Sequence, residues 1–274
     1  MNLIKIPHLQ VHISHACNFT CESCAHYSNH GHGSILSVDE VDSYVRKWTT
    51  KLLPDTFTIL GGEPTLNKDL VKFVYLMKEW WPNTDLNITT NGSYLDKFPD
   101  LPKALKDTNT RLHISLHSSD EEYKSFILPK IELVRQWQKD YKIRVRWDPV
   151  YKTEWSKTYL GFGDNMLPYE DNDYEKSWEN CPMFQTCFEL HEGNIYKCSL
   201  LAYLPMQSKK FNLSEKWDHY LTYKPLTPDA TEDEIIEFFN RKAESYCGMC
   251  PANGPHYFKK KNPLLPVNYW KKNV

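Results

Sequence analysis

In the first half of the chain, apolar positions switch repeatedly between a period of two and a period near 3.6, as strands alternating with amphipathic helices do. Residues 9–14 alternate and read as the first strand. Ser37-Val38-Asp39-Glu40 has the form of a capping box and opens a helix to about Leu52. Residues 56–60 form a buried strand, and Leu70, Phe73, Val74 and Met77 share one face of the helix that follows. The third strand is Asp85–Thr90, closed by Asn91-Gly92, and the third helix covers residues 94–106, interrupted by Pro99 and Pro102. Residues 111–117 give strand four, residues 119–140 a helix that Pro129 kinks or splits, and residues 143–150 strand five. A sixth strand is expected between Lys157 and Asn165.

This repetition implies a parallel sheet covered by helices, and periodicity alone does not separate a partial barrel from a doubly wound sheet. In either case ligand chemistry gathers at the carboxyl ends of the strands, where Glu63, Asn91, Ser115, His117 and Asp148 fall. Beyond about residue 167 the pattern changes. Residues 171–179 are acidic and polar and read as a linker, and residues 188–197 as a hairpin turning at Glu192-Gly193. Residues 232–246 form a helix with Ile235, Ile236 and Phe239 apolar. Composition adds limits. The 33 basic against 35 acidic side chains leave a net charge of −2, which does not mark a nucleic-acid binder. No apolar run reaches the length of a membrane span, and the N-terminus is too short and polar for a signal peptide. Eight cysteines gathered in ligand-like groups, in a chain of 274 residues, point to a reducing cytoplasm rather than to a disulfide framework.

The first group, Cys17, Cys21 and Cys24, follows strand one at C-x3-C-x2-C. Thiolates suit iron–sulfur clusters, and three ligands for four irons leave one iron open; a zinc knuckle is the alternative on spacing alone. The strand at 56–60 ends in Gly61-Gly62-Glu63-Pro64. Together the two motifs resemble the radical S-adenosylmethionine (SAM) superfamily. The resemblance implies an open (β/α)6 partial barrel with a [4Fe–4S] cluster on Cys17, Cys21 and Cys24. Its open iron binds the amino and carboxylate groups of SAM, and the G-G-E-P strand end contacts the amino group. An electron from the cluster then breaks the S–C5′ bond and leaves a 5′-deoxyadenosyl radical that takes hydrogen from substrate. Ser23 stands where the family carries an aromatic residue beside the adenine, with His26 or Tyr27 as replacements.

Cys181, Gly193, Cys198, Cys247 and Cys250 resemble twitch, the shortened relative of the SPASM extension, which implies a second [4Fe–4S] cluster on the four cysteines. A four-cysteine zinc site is the alternative. Cys187 is left over, either a small buried hydrophobe or a catalytic hydrogen-atom donor. The expected division is a partial-barrel core at 1–167, an auxiliary-cluster module at 168–256 and a basic tail at 257–274.

Further candidates for binding SAM are Ser115, Thr90, Asn91 and Arg135. Arg144 and Arg146 project to one face of strand five and, with Asp148 at its end, are candidates for binding a polar substrate. The six histidines between His8 and His32 read mostly as polar loop residues. The resemblance leads to an oxidoreductase or epimerase acting on a small sugar- or aminocyclitol-like molecule, with electrons from a flavodoxin or ferredoxin. Maturation of a ribosomal peptide is the alternative, disfavoured because no peptide-recognition segment precedes strand one. A two-cluster electron carrier and a zinc-binding interaction module are the readings from other classes.

Overall fold

Strand β1 (Ile4–His12) is the centre of the molecule, because both its edges are paired. The computed structural model describes residues 3–148, 154–169, 173–181, 183, 186–253, 257–259 and 262–266. On one side β1 runs parallel to β2 (Leu52–Leu60), and β3 (Asp85–Thr90), β4 (Arg111–Ile114) and β5 (Val145–Trp147) follow outward, all parallel. The crossovers are helices α1 (Val38–Arg46), α2 (Leu70–Trp80), α3 (Leu101–Thr108) and α4 (Glu121–Tyr141). The sheet is unclosed, as a partial barrel is.

One face of the sheet is covered. Leu9, Val11, Phe57, Ile59, Leu86, Ile88, Leu112 and Ile114 are buried against Val41, Val45, Phe73, Val74, Met77, Leu105 and Val134 of the helices. Each such side chain contributes roughly 1.5–3 kcal/mol on burial. The other face is far more polar. Register neighbours in a parallel sheet share a face, so Gln10, Thr58, Asn87 and Arg111 form one rank on it. Thr89, His113 and Arg146 belong to the rank above.

The other edge of β1 is taken by β7 (Phe188–His191), which is parallel to it and antiparallel to β8 (Asn194–Tyr196). The main sheet therefore crosses the expected division near residue 167 and takes strands from both halves of the chain. The hairpin turns at Glu192 and Gly193, both with positive φ (50° and 81°), as a type I′ turn requires. The indole N–H of Trp48 donates to the Gly193 carbonyl at 2.9 Å and ties this turn to the end of α1.

The expected sixth parallel strand is absent from residues 157–165. Gly161 and Gly163 adopt φ of 70° and 60° and fold the chain back, leaving a single bridge between Leu160 and Leu167. The nearby β6 (Glu154–Ser156) pairs instead with β9 (Tyr257–Lys259), antiparallel and outside the main sheet. Other boundaries move for local reasons. Ser37 caps α1 by accepting from the Glu40 N–H at 3.2 Å, but the Glu40 carboxylate accepts from the Tyr44 hydroxyl and the box is half made. Pro102 sits in the first turn of α3, where its missing N–H is no loss. Pro129 lies inside α4, which is neither split nor interrupted over its 21 residues.

After β6 come α5 (Tyr174–Glu179), where a linker was expected, and α6 (Ser199–Lys210), which had no sequence signal. Next are α7 (Asp218–Leu221) and α8 (Glu232–Asn240), the latter ending six residues short of the expected 246. In α6, Leu200, Leu201, Ala202, Tyr203 and Leu204 are all buried, so no polar stripe sets off an apolar one. These residues, with Tyr27, Tyr159, Met166 and Trp217, form a second core. Of the basic tail, Lys260, Lys261, Lys271 and Lys272 lie outside the described residues.

Candidate active site

The loop carrying the first three cysteines is seated on the glycine pair that ends β2. Gly62 N–H donates to the Ser14 carbonyl at 2.7 Å, and Glu63 N–H to the Ala16 carbonyl at 2.8 Å. A Cβ on Gly61 would lie 2.3 Å from the Ser14 oxygen, and one on Gly62 the same distance from the Ala16 oxygen. Both neighbours are backbone, so only glycine permits this approach. Cys17, Cys21 and Cys24 then line one cavity of ≈ 200 Å³ with Gly61, Gly62, Glu63, Thr89, Thr90, Asn91, Ser115 and His117.

Glu63 is fully buried. Its Oε1 accepts from the Thr65 N–H at 3.0 Å, the Thr65 hydroxyl at 2.5 Å and the Thr90 hydroxyl, while Oε2 accepts from the Asn91 N–H at 2.7 Å. Four lone-pair sites and four donors, three of them on one oxygen, leave acceptor capacity on Oε2 alone. Burial raises the Glu63 pKa, opposed by the bonds from Thr65, Thr90 and Asn91. The Asn91 side chain donates to Asn18 at 3.0 Å and lies 3.9 Å from the Cys17 sulfur. His117 Nδ1 stands 3.4 Å from the Cys21 sulfur. Burial, then the nearness of Cys21 and Glu63, pushes the Cys17 thiol well above its ordinary value. Three convergent soft donors beside a buried carboxylate want a cationic partner, and they fit a [4Fe–4S] cluster held by three cysteines.

The other five cysteines line a second, smaller cavity of ≈ 50 Å³ with Trp178, Met183, Leu200, Tyr246 and Met249. Burial raises the thiols of Cys187, Cys198, Cys247 and Cys250, and neighbouring cysteines raise them further. The Cys250 thiol is raised first by burial and then by Cys181, Cys198 and Cys247, and Cys198 is raised by burial and by Cys181 and Cys247. Cys187, pushed up to about 12 by burial, feels Cys181 and Glu189. Met183 lines both cavities and had no sequence signal.

The remaining expected residues scatter. Ser115 reaches the first cavity, and its N–H donates to the Thr90 carbonyl at 2.9 Å. Pro64 begins a short 3₁₀ turn after Glu63, where a proline removes no needed donor. Arg135, expected to bind SAM, does not line the first cavity. It is exposed on α4 and pairs with Glu132 at 3.3 Å, one helical turn away and clear of the cavity. Arg144 is also displaced from its expected role, because Asp85 holds it at 2.7 Å, beside the Asp85–Arg111 pair at 2.9 Å, at the amino end of the sheet. Arg146 is on the polar face, exposed, and makes no ion pair among the described residues. Asp148 ends β5 but is turned to His113 Nε2 at 2.8 Å. Of the stand-ins for an aromatic before Cys24, His26 lines the first cavity, whereas Tyr27 is buried in the second core. His12, His15 and His30 are buried within the fold rather than solvated on loops.

Fold and donor set together define a class. Residues 11–142 match the profile of the Radical SAM superfamily. That stretch, just under half of the chain, is similar to a radical SAM domain, and the cofactors of that superfamily are SAM and a [4Fe–4S] cluster. Over 135 residues it is 33% identical to the GTP 3′,8-cyclase of Nautilia profundicola, covering 48% of this chain and 41% of that relative. It is 38% identical over 117 residues to the probable GTP 3′,8-cyclase of Sulfolobus acidocaldarius, covering 42% and 36%. The chain thus spans about two fifths of the length of these curated relatives. Among solved structures, BtrN in complex with AdoMet and 2-DOIA aligns with a TM-score of 0.50 at 14% identity, over 91% of this chain and 94% of that one, a likeness of fold.

The relatives overturn the expected substrate. They are named for action on GTP, which is neither a sugar- or aminocyclitol-like molecule open to dehydrogenation or epimerisation nor a ribosomal peptide. Cysteine spacing reports metal ligation and says nothing of the molecule bound beside the metal. Cys187, expected either as a small buried hydrophobe or as a hydrogen-atom donor, lines the second cavity rather than the first. No helix among the described residues is long and apolar enough to cross a membrane.

Proposed function

We propose that this protein is a radical SAM enzyme whose substrate is a guanine nucleotide. The observation that carries the first half is the convergence of Cys17, Cys21 and Cys24 with Glu63 on one cavity. When bound there, the cluster supplies the electron that cleaves SAM. The chain's own residues position the cofactor. Oε2 of Glu63 offers its free lone pair to the SAM ammonium, with the backbone of Gly61, Gly62 and Pro64 around it and Asn91 and Ser115 on the neighbouring strand ends.

The nucleotide half rests on the curated relatives and on charge. Arg146 stands exposed on the polar face as the register partner of His113, and a guanidinium fork suits a phosphate. Asp148 holds His113 in place beside it. We assign Cys181, Cys198, Cys247 and Cys250 to a second [4Fe–4S] cluster in a module beginning near residue 168, with Cys187 outside the ligand set. A flavodoxin- or ferredoxin-like protein is the electron donor.

The test is anaerobic reconstitution followed by reduction with SAM and GTP deuterated at C3′, the position in the relatives' name. Deuterium should appear in 5′-deoxyadenosine, and omission of GTP should slow its formation. Cleavage of SAM that is indifferent to GTP, ATP and guanosine alike would remove the nucleotide and leave the SAM chemistry standing.

A further inference from the structure

Beside the first cavity lies a group of side chains that no step above uses. His12 ends β1, His26 lies two residues beyond Cys24, and Glu189 belongs to β7. One ligand atom from each lies within 4.8 Å of the others. Their rings and those of neighbours form a tight nest, with centroids 4.8 Å apart for His12 and His26 and 4.4 Å apart for His12 and Tyr203.

Two features of this nest are unsatisfied. His12 Nε2 and His26 Nε2 are both buried, and neither has a hydrogen-bond partner among the described residues. A buried imidazole nitrogen without a partner costs about 1–3 kcal/mol. His12 has its other nitrogen, Nδ1, 3.1 Å from His15 Nδ1. When Nδ1–H donates there, Nε2 carries the lone pair, the arrangement in which histidine ligates a metal and is steadied from behind. Glu189 is the second feature. It is fully buried and accepts from Gln10 Nε2 at 2.8 Å and the Tyr203 hydroxyl at 2.6 Å, both neutral groups. It makes no ion pair among the described residues, and a buried carboxylate without a countercharge is costly.

We infer that His12 Nε2, His26 Nε2 and the Glu189 carboxylate bind a divalent first-row transition ion, separate from the iron–sulfur clusters. Two imidazoles and a carboxylate are the donor set of zinc and of non-haem iron(II). Bonds of about 2.0–2.2 Å place tetrahedral ligand atoms roughly 3.3 Å apart, so each atom moves inward by less than about 1 Å. The ion supplies the charge that Glu189 lacks. Because His26 lines the first cavity, the ion sits in that cavity's wall.

Cobalt(II) is the probe, added to the desalted holoenzyme after its clusters have been reconstituted. One cobalt per chain should bind without loss of iron, and its spectrum should lack thiolate-to-cobalt charge transfer. Glu189→Gln keeps the shape of the side chain and its contacts to Gln10 and Tyr203, and should weaken cobalt binding roughly 100-fold or more at unchanged iron content, as should His12→Gln. No cobalt beyond the iron, a thiolate signature, or equal binding by both variants overturns the assignment and leaves an ordinary water between the three groups.

Discussion

The carboxylate of Glu63 accepts the N–H of Asn91 at 2.7 Å and so fastens the tip of β2 to the tip of β3. A residue expected to serve SAM thus also holds together the rim on which SAM would rest. In Glu63→Gln the carbonyl oxygen can keep the Thr65 and Thr90 donors, but the new amide then faces the Asn91 N–H donor to donor. The buried mismatch should cost about 1–3 kcal/mol of stability, and SAM affinity should fall roughly 10- to 150-fold. Thermal melting and equilibrium dialysis read the two effects, and unchanged affinity would end the proposed role.

Gly62→Ala should prevent the cysteine loop from seating, since its Cβ meets the Ala16 carbonyl carbon and oxygen at 2.6 and 2.3 Å. Iron after reconstitution should drop by about half and SAM cleavage should be lost. Gly33→Ala is the control, because nothing lies within 4 Å of the added carbon. Its stability should stay within about 0.5 kcal/mol. Full iron in Gly62→Ala contradicts the account of the loop.

The proposed ligand set for the second cluster leaves Cys187 out. Cys187→Ala should retain both iron and sulfide, whereas Cys198→Ala should lose a second cluster's worth of each and melt lower, because metal binding is coupled to folding. Elemental analysis against protein concentration decides it. Iron lost from Cys187→Ala instead would reassign the ligands.

Two neighbouring arginines should behave differently. Arg144→Ala removes a half-exposed pair with Asp85 and should cost at most about 1 kcal/mol with turnover unchanged. Arg146→Ala should raise the KM for the nucleotide while SAM cleavage continues uncoupled. Equal kinetics in the two variants would remove Arg146 from the substrate site.

His8 sets a pH dependence. Burial lowers its pKa from 6.5 to about 4 in the folded chain, where Nε2 lies 2.8 Å from the Thr58 hydroxyl. The unfolded chain takes up a proton near 6.5 and the folded one only near 4, so stability is lost as pH falls through that window, by up to roughly 3 kcal/mol. His8→Gln should flatten denaturant midpoints between pH 6.5 and 4. An unaltered slope would show that other buried histidines carry the whole effect.

Much of the frame was legible in sequence because each early strand announces itself twice, by its alternation and by the chemistry at its end. Asp85–Thr90 was placed to the residue, and the Glu192-Gly193 turn was read from a glycine set between two short apolar runs. The sixth strand failed because nothing in residues 157–165 states which edge a strand will join, and two left-handed glycines outweigh a short apolar run. Arg135 and Arg144 lie away from the first cavity for another reason. Helical and alternating spacing gives the face on which a side chain lies, but a nearby Glu132 or Asp85 decides where its charge ends up. Glu189 left no trace, since a carboxylate in a short strand ordinarily reads as solvent-facing.

Because β7 closes the edge of β1, that edge stays open throughout most of synthesis. Glu189, the partner of Gln10, is made 179 residues later. At about 5–20 residues per second, the ribosome takes on the order of ten to forty seconds to deliver it. For that interval β1 presents unpaired amides and carbonyls to any passing strand. The same delay leaves the cysteine loop beside it reachable before the second half of the chain arrives, a period in which iron and sulfide can be delivered to a site that the finished fold encloses.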